Sequence, residues 1–136
     1  MAGKEKIELS LLNIIPLTDK KLLKGAFPDE DKEFQHLINW FRTACIQDQR
    51  ERKSRTSLAM YNDKVIGYIT ISTGFLEGEL SEVKSTSSFN FQVLLLGKLY
   101  VAPKYRGNGV GEKLLRFVVD IAHDIDKMTG CLGIQV

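Results

Sequence analysis

Residues Leu99 to Leu115 read LYVAPKYRGNGVGEKLL, and within them Arg106, Gly107, Asn108, Gly109, Val110 and Gly111 separate an apolar stretch from a run of helical periodicity. The first N–H groups of a helix have no carbonyl partners, and glycines leave them open to whatever approaches. Together with the positive end of the helix dipole, such amides make an anion pocket whose natural occupant is a phosphate or pyrophosphate. Spacing separates the loops that share this chemistry. A Walker A loop ends in Gly-Lys-Ser/Thr, whereas Gly111 is followed by Glu112 and Lys113 by Leu114, leaving no hydroxyl for magnesium. The dinucleotide fingerprint needs glycine where Glu112 stands and an acidic residue ending a second parallel strand, which CLGIQV does not supply. What remains is R-x-x-G-x-G, from Arg106 to Gly111, after a strand ending L-Y-V-x-P.

This pattern closely resembles motif A of the GNAT superfamily of N-acetyltransferases. The resemblance is specific from about Leu94 to Leu115 and extends in topology from Ile7 onward. It implies that the loop amides grip the pyrophosphate of acetyl-coenzyme A, while the preceding strand bulges and splays from its neighbour to admit the pantetheine arm. Gly97 and the L-Y-V ending stand where that bulge is expected. By position, the backbones of Leu99, Tyr100 and Val101 would bind the pantetheine amides and the acetyl carbonyl. Arg106, Gly107, Asn108, Gly109, Val110, Gly111 and Glu112 would hold the pyrophosphate. The implied activity is transfer of an acetyl group from acetyl-CoA to a primary amine by direct attack on the thioester, with the Val101 backbone polarising the carbonyl. A noncatalytic acyl-CoA-binding or regulatory module is the alternative that uses the same loop. A plain turn with tight helix–strand packing is the bland reading of the three glycines.

Other residues with chemical potential carry less. Glu77, Glu79 and Glu82, on a polar stretch, are candidates for a base acting through water, though solvated loop charges are the commoner reason for such residues. Tyr68 and Tyr100 could each reach a substrate, but core packing with a satisfied hydroxyl is the ordinary fate of a strand tyrosine. His36 and His123 have no partner at a triad or metal spacing. Cys45 and Cys131 lie in apolar runs without metal-ligand spacing, so no metal is expected and the thiols read as reduced core residues. The run RERKSR, Arg50 to Arg55, could face a phosphate-bearing acceptor such as tRNA or the cofactor's 3′-phosphate. It also suits a solvated helix C-terminus.

The elements that must position these residues follow from periodicity and turn chemistry. IELSLLNII, residues 7–15, predicts a first strand stopped by Pro16. From Pro28 to about Arg52, Phe34, Leu37, Ile38, Phe41 and Cys45 recur at helical spacing behind an acidic start, which predicts one helix of about four turns. TSLAMY and KVIGYITIS predict two strands joined at Asn62-Asp63, residues that tolerate the left-handed backbone of a tight hairpin. Thr73 to Asn90 reads as a long loop or an irregular strand extension, and FQVLLLGKLYV as a central strand interrupted by Gly97. Val110, Leu114, Val118, Ile121 and Ile125 predict a long helix, with Leu115 and Ala122 widening its apolar face, and CLGIQV a last strand. Trp40 and Phe41 beside Phe34 predict a packed helix face. The order is β, α, β, β, loop, β, α, β. The expected fold is α/β (α+β), a GNAT-like mixed, mostly antiparallel sheet flanked by helices.

With 136 residues and 43% hydrophobic content, the expectation is a single domain spanning 1–136. The charges are mixed, 19 basic against 17 acidic side chains, which argues against a nucleic-acid-coating surface, with tRNA as the one nucleic acid considered, as acceptor. The start MAGKEKIELS lacks a signal-peptide core, and no window is apolar enough for a membrane span, so a cytoplasmic protein without membrane partners is expected. The resemblance implies a further helix, often carrying the tyrosine that protonates the leaving thiolate, and two more strands after the last strand seen. The expected family fold is therefore C-terminally incomplete in this chain, with completion by another chain or a homodimer through the open strand edge among the expectations.

Overall fold

The computed structural model describes residues 5–78, 89–129 and 133–135. Five strands form one sheet in the order β1-β2-β3-β4-β5: β1 Asn13–Pro16, β2 Arg55–Tyr61, β3 Lys64–Gly78, β4 Phe89–Val101 and β5 Gly133–Gln135. The first four pair antiparallel, and β5 runs parallel to β4 through Val93, Leu94 and Leu95. Helices α1 (Gln35–Thr43) and α2 (Cys45–Arg50) stand between β1 and β2 in the chain, and α3 (Val110–Thr129) between β4 and β5. This is the mixed, mostly antiparallel sheet flanked by helices that the sequence predicts.

Two cores lie on opposite faces of the sheet. Leu12, Ala59, Ile66, Ile69 and Leu94 pack with Val110, Leu114 and Val118 of α3. Leu17, Phe27, Leu58, Tyr68 and Tyr100 pack with Ile38, Phe41 and Cys45 of α1 and α2. The second core is aromatic: Phe41 stacks on Tyr68 at 4.7 Å between ring centroids, and Phe27 meets Tyr100 edge-on at 4.9 Å. Trp40 belongs to the same face, stacked on Tyr68 with the Lys98 ammonium 4.3 Å from its ring centre. Cys45 is buried, its Sγ 3.2 Å from the Thr56 hydroxyl; Cys131 lies outside the described residues.

The hairpin turn forms at Asn62 and Asp63, both at positive φ (50° and 61°), the left-handed pair that a two-residue connection requires. Gly97 is also where the sequence pointed. Ile71 pairs with Leu96 and Ile69 with Leu99, so Gly97 and Lys98 together oppose Thr70 and β4 carries a bulge there. The Lys98 N–H donates to the Thr70 hydroxyl at 2.7 Å, closing the ladder across the irregularity. The extra residue flips the alternation: Leu94 and Leu96 before the bulge and Leu99 and Val101 after it all pack towards α3.

Three local expectations are corrected. The first strand is only Asn13–Pro16; a 3₁₀ turn takes Leu9–Leu11, because Leu11 and Leu12 N–H groups bond back to Glu8 and Leu9 while the Ile7 N–H goes to the Asn108 side chain. The single four-turn helix is two shorter ones that begin at Gln35 and break at Ala44. At the break the Thr43 hydroxyl donates to the Asn39 carbonyl four residues back, a side-chain bond that competes with the helical ladder and bends helices. The acidic start is not helical, since Asp31 is engaged elsewhere, as described below. On α3, Leu115 is 41% exposed and does not widen the buried face. Of the two readings open for Thr73 to Asn90, the strand extension holds at both described ends: β3 continues to Gly78, paired with Phe89, and extends past the end of β2.

Candidate functional site

A cleft of about 430 Å³ opens where three elements meet: the start of α1 (Phe34, Leu37), the end of β4 (Leu99, Tyr100, Val101), and the loop into α3 (Tyr105, Arg106, Gly107, Gly109, Val110, Gly111). Eight of the residues expected to hold acetyl-CoA therefore line one surface. Asn108 and Glu112 do not. The Asn108 side chain is turned away from the cleft: its Nδ2 donates to the carbonyls of Glu5 (2.7 Å) and Tyr105 (2.9 Å), and its Oδ1 accepts from the Ile7 N–H. It fixes the loop against the N-terminal segment. Glu112 is exposed and paired with Arg116 one turn along α3.

The loop backbone has the form an anion site needs. Gly107 and Gly109 both take φ of +83°, the left-handed region that glycine enters without steric cost. The first helical bond runs from the Lys113 N–H to the Gly109 carbonyl. Among the described residues, the N–H groups of Gly107, Asn108, Gly109, Val110, Gly111 and Glu112 donate to no backbone acceptor outside the helix, and they lie before the first helical bond. Beyond its own helical turn, an added Cβ at Gly111 would meet only the Val101 Cγ2, at 3.9 Å, among the described residues, so no described side chain fills that face.

The strand wall is open as well. The Ala102 N–H bonds to Ile66 of β3, so by alternation the backbone polar groups of Tyr100 face β3 while those of Leu99 and Val101 face away from it. The Val101 carbonyl is met on that side by the Arg106 Nε–H at 2.9 Å. β5 pairs with β4 only at Val93–Leu95, before the bulge, and leaves this edge uncovered among the described residues.

Asp31 is the residue beneath the cleft that sequence reasoning passed over. It is 6% exposed and accepts from the Arg106 Nη2 at 2.6 Å, the Tyr100 hydroxyl at 2.9 Å and the Phe34 N–H at 3.4 Å. Burial pushes its pKa up. The Arg106 and Tyr100 hydrogen bonds, the Arg106 charge and the Phe34 amide outweigh burial and hold the carboxyl below its ordinary value. Burial, followed by the hydrogen bond to Asp31, raises the Tyr100 phenol far above its usual range. Nothing local distinguishes Asp31 from Asp29 and Glu30 in the acidic stretch; its partners are 69 and 75 residues away. Phe34 and Leu37 show in the sequence only the helical spacing of a packed face, and Tyr105 carries no signal beyond its place beside Arg106.

The remaining candidates stand apart. Glu77 pairs with Asn90 in the ladder, eleven residues along β4 from Val101, on the order of 35 Å at strand spacing. Glu79 and Glu82 lie outside the described residues. Tyr68 is fully buried and donates to the Leu37 carbonyl at 2.6 Å, a core role. Arg50, Arg52, Lys53 and Arg55 are exposed and none lines the cleft. His36 and His123 are exposed, and no cluster of metal-ligating side chains occurs among the described residues. No described helix is long and apolar enough to cross a membrane.

The sequence model of the acetyltransferase (GNAT) family matches residues 17–132. No curated protein matches the sequence. Among solved structures, the chain is similar to a point mutant of KacT, with TM-score 0.74 and 20% identity over 91% of this chain and 76% of that one. It is also similar to AtaT complexed with acetyl-methionyl-tRNAfMet (TM-score 0.70, 21% identity, 90% of this chain and 75% of that one). A third is a mutant AtaT toxin bound to the C-terminus of the antitoxin AtaR and acetyl-CoA (TM-score 0.68, 21% identity, 90% and 72%). At these identities the likeness is one of fold.

Proposed function

The chain belongs to the acetyltransferase (GNAT) family, and on that premise we propose that it binds acetyl-CoA in the cleft between β4 and α3 and transfers the acetyl group to a primary amine. The observation that carries the reading is the row of N–H groups from Gly107 to Glu112 that find no loop acceptor among the described residues, at the mouth of a 20-residue helix. A diphosphate supplies what those donors lack, and the dipole of α3 favours its charge. The outward-facing N–H groups of Leu99 and Val101 and the Leu99 carbonyl offer donors and an acceptor to the amides of an extended arm, as one strand offers them to another. The cofactor supplies an activated acetyl thioester.

In the proposed reaction a neutral amine attacks the acetyl carbon, a C–N bond forms, the nitrogen gives up a proton, the C–S bond breaks, and the leaving thiolate takes up a proton in its turn. The chain's part is to hold the thioester in line and to donate the Val101 N–H to the carbonyl oxygen as its charge grows. Glu77, at the far end of the β3–β4 ribbon, has no part in it.

Calorimetric titration with acetyl-CoA, followed by assay of CoA release with amino acids, polyamines, peptides and aminoacyl-tRNA, tests the proposal. Aminoacyl-tRNA belongs in the panel because one of the similar structures holds an acetylated one. Binding with amine-dependent release supports transfer. Binding without release across the panel assigns the chain to the acyl-CoA-binding modules, and no binding removes the proposal. Light scattering on the same samples tests the homodimer, which a monomer across the micromolar range removes.

A further inference from the structure

One buried carboxylate ties together all three walls of the cleft. Asp31 reaches β4 through the Tyr100 hydroxyl, the glycine loop through Arg106, and the start of α1 through the Phe34 amide. A loop bond completes the tie, since Gln35 Oε1 accepts from the Asp31 N–H at 3.0 Å. Arg106 then acts as a crossbar. Its Nη2 is on Asp31, its Nε is on the Val101 carbonyl, and its guanidinium lies against the Phe34 and Tyr100 rings at 5.1 and 5.5 Å. The side chain that the sequence pattern offers to a diphosphate is thus spent on holding the backbone that would face it.

We infer that Asp31 is a positioning residue for cofactor binding: it fixes Arg106, and through Arg106 the Val101 peptide and the loop from Arg106 to Gly111, in the arrangement that presents bare amides to the ligand. The inference rests on the proposed binding of acetyl-CoA. Stability alone does not explain the arrangement, because an apolar replacement of a buried ion pair is often no less stable, whereas a fixed geometry between three separate elements needs directional bonds. An untied guanidinium would leave the Val101 carbonyl and let the loop move, and binding would then have to order it again.

The test is a set of titrations with acetyl-CoA, each well below the melting temperature of the variant. Asp31→Asn keeps the shape and removes the charge; it is expected to weaken acetyl-CoA by about tenfold or more, the loss of one charge-assisted bond. Arg106→Gln breaks the same crossbar from the other end, and the double variant is expected to bind no more weakly than the poorer single one. Ile38→Val, a buried change in the α1 core, is the control, expected to lower the melting temperature and leave affinity alone. A purely structural role for Asp31 would behave like this control and would show no coupling with Arg106 in affinity. If Asp31→Asn does not fold, Asp31→Glu, longer by one methylene, takes its place with the same expected loss. Wild-type binding alongside an unchanged Asp31 variant, or additive losses in the double variant, overturns the inference alone. A wild-type protein that does not bind acetyl-CoA removes the proposed function, and the inference with it.

Discussion

Gly111 separates cofactor binding from folding, because the two effects of replacing it have opposite signs. It lies in the first turn of α3, it is not at positive φ, and a Cβ built there meets only the Val101 Cγ2 at 3.9 Å, ordinary contact. Gly111→Ala therefore brings no clash and gains helix propensity, about 0.5 kcal/mol or somewhat more. The same methyl stands on the cleft surface, between the N–H groups and an approaching diphosphate. Losing one charge-assisted bond costs about 1.5–3 kcal/mol, a weakening of roughly 10- to 150-fold. Gly111→Leu fills more of the cleft and should abolish binding at any practical concentration. Thermal melting and calorimetry with acetyl-CoA on the same preparations read both quantities. A Gly111→Leu protein that melts like the wild type and binds acetyl-CoA as tightly would refute the reasoning. Gly109 is a poorer probe: at φ +83° any side chain strains the backbone, and its Cβ would stand 3.3 Å from Leu9 Cδ1.

Two further outcomes follow from the walls of the cleft. Gly67 pairs with Val101, and a Cβ there would lie 2.7 Å from the Tyr100 carbonyl oxygen, so Gly67→Ala should cost about 1–3 kcal/mol in urea unfolding and weaken acetyl-CoA by pushing β3 from β4. Asp31 has a folded-state pKa below its ordinary value, so the stability its charge contributes is present at neutral pH and is lost as pH falls through the ordinary carboxylate range towards the lower folded value. Urea midpoints between pH 7 and pH 3 should therefore fall less steeply for Asp31→Asn than for the wild type, and parallel curves would contradict the assignment.

The parts of the fold legible in the sequence are those decided locally. Asn62-Asp63 specifies its turn through its own backbone preferences, and the spacing from Val110 to Ile125 sets α3 against the sheet. Gly97 marks the bulge because a side chain there would strike the Thr70 hydroxyl at 2.6 Å. The misread parts are those settled by a competing bond. Thr43 takes a carbonyl from the helix it ends, and Asn108, a hundred residues away, captures the Ile7 amide that a first strand would have used. For Thr73 to Asn90 the sequence left a loop and a strand extension both open, because a ribbon beyond the end of β2 need not bury one face and so need not alternate; the pairing of β3 with β4 as far as Gly78 decides for the extension. In the cleft, the backbone residues were legible because a loop motif names them. Asp31, Phe34 and Leu37 were not, since they reach the site only through tertiary packing.

The most direct measurement is a titration of the ¹⁵N-labelled protein with acetyl-CoA, followed amide by amide in NMR spectra. Hydrogen bonding of a diphosphate to the loop predicts the largest downfield shifts at Gly107, Gly109, Val110 and Gly111, with smaller changes at Leu99 and Val101. Shifts confined to the basic segment from Arg50 to Arg55, or none at all at millimolar ligand, would contradict it.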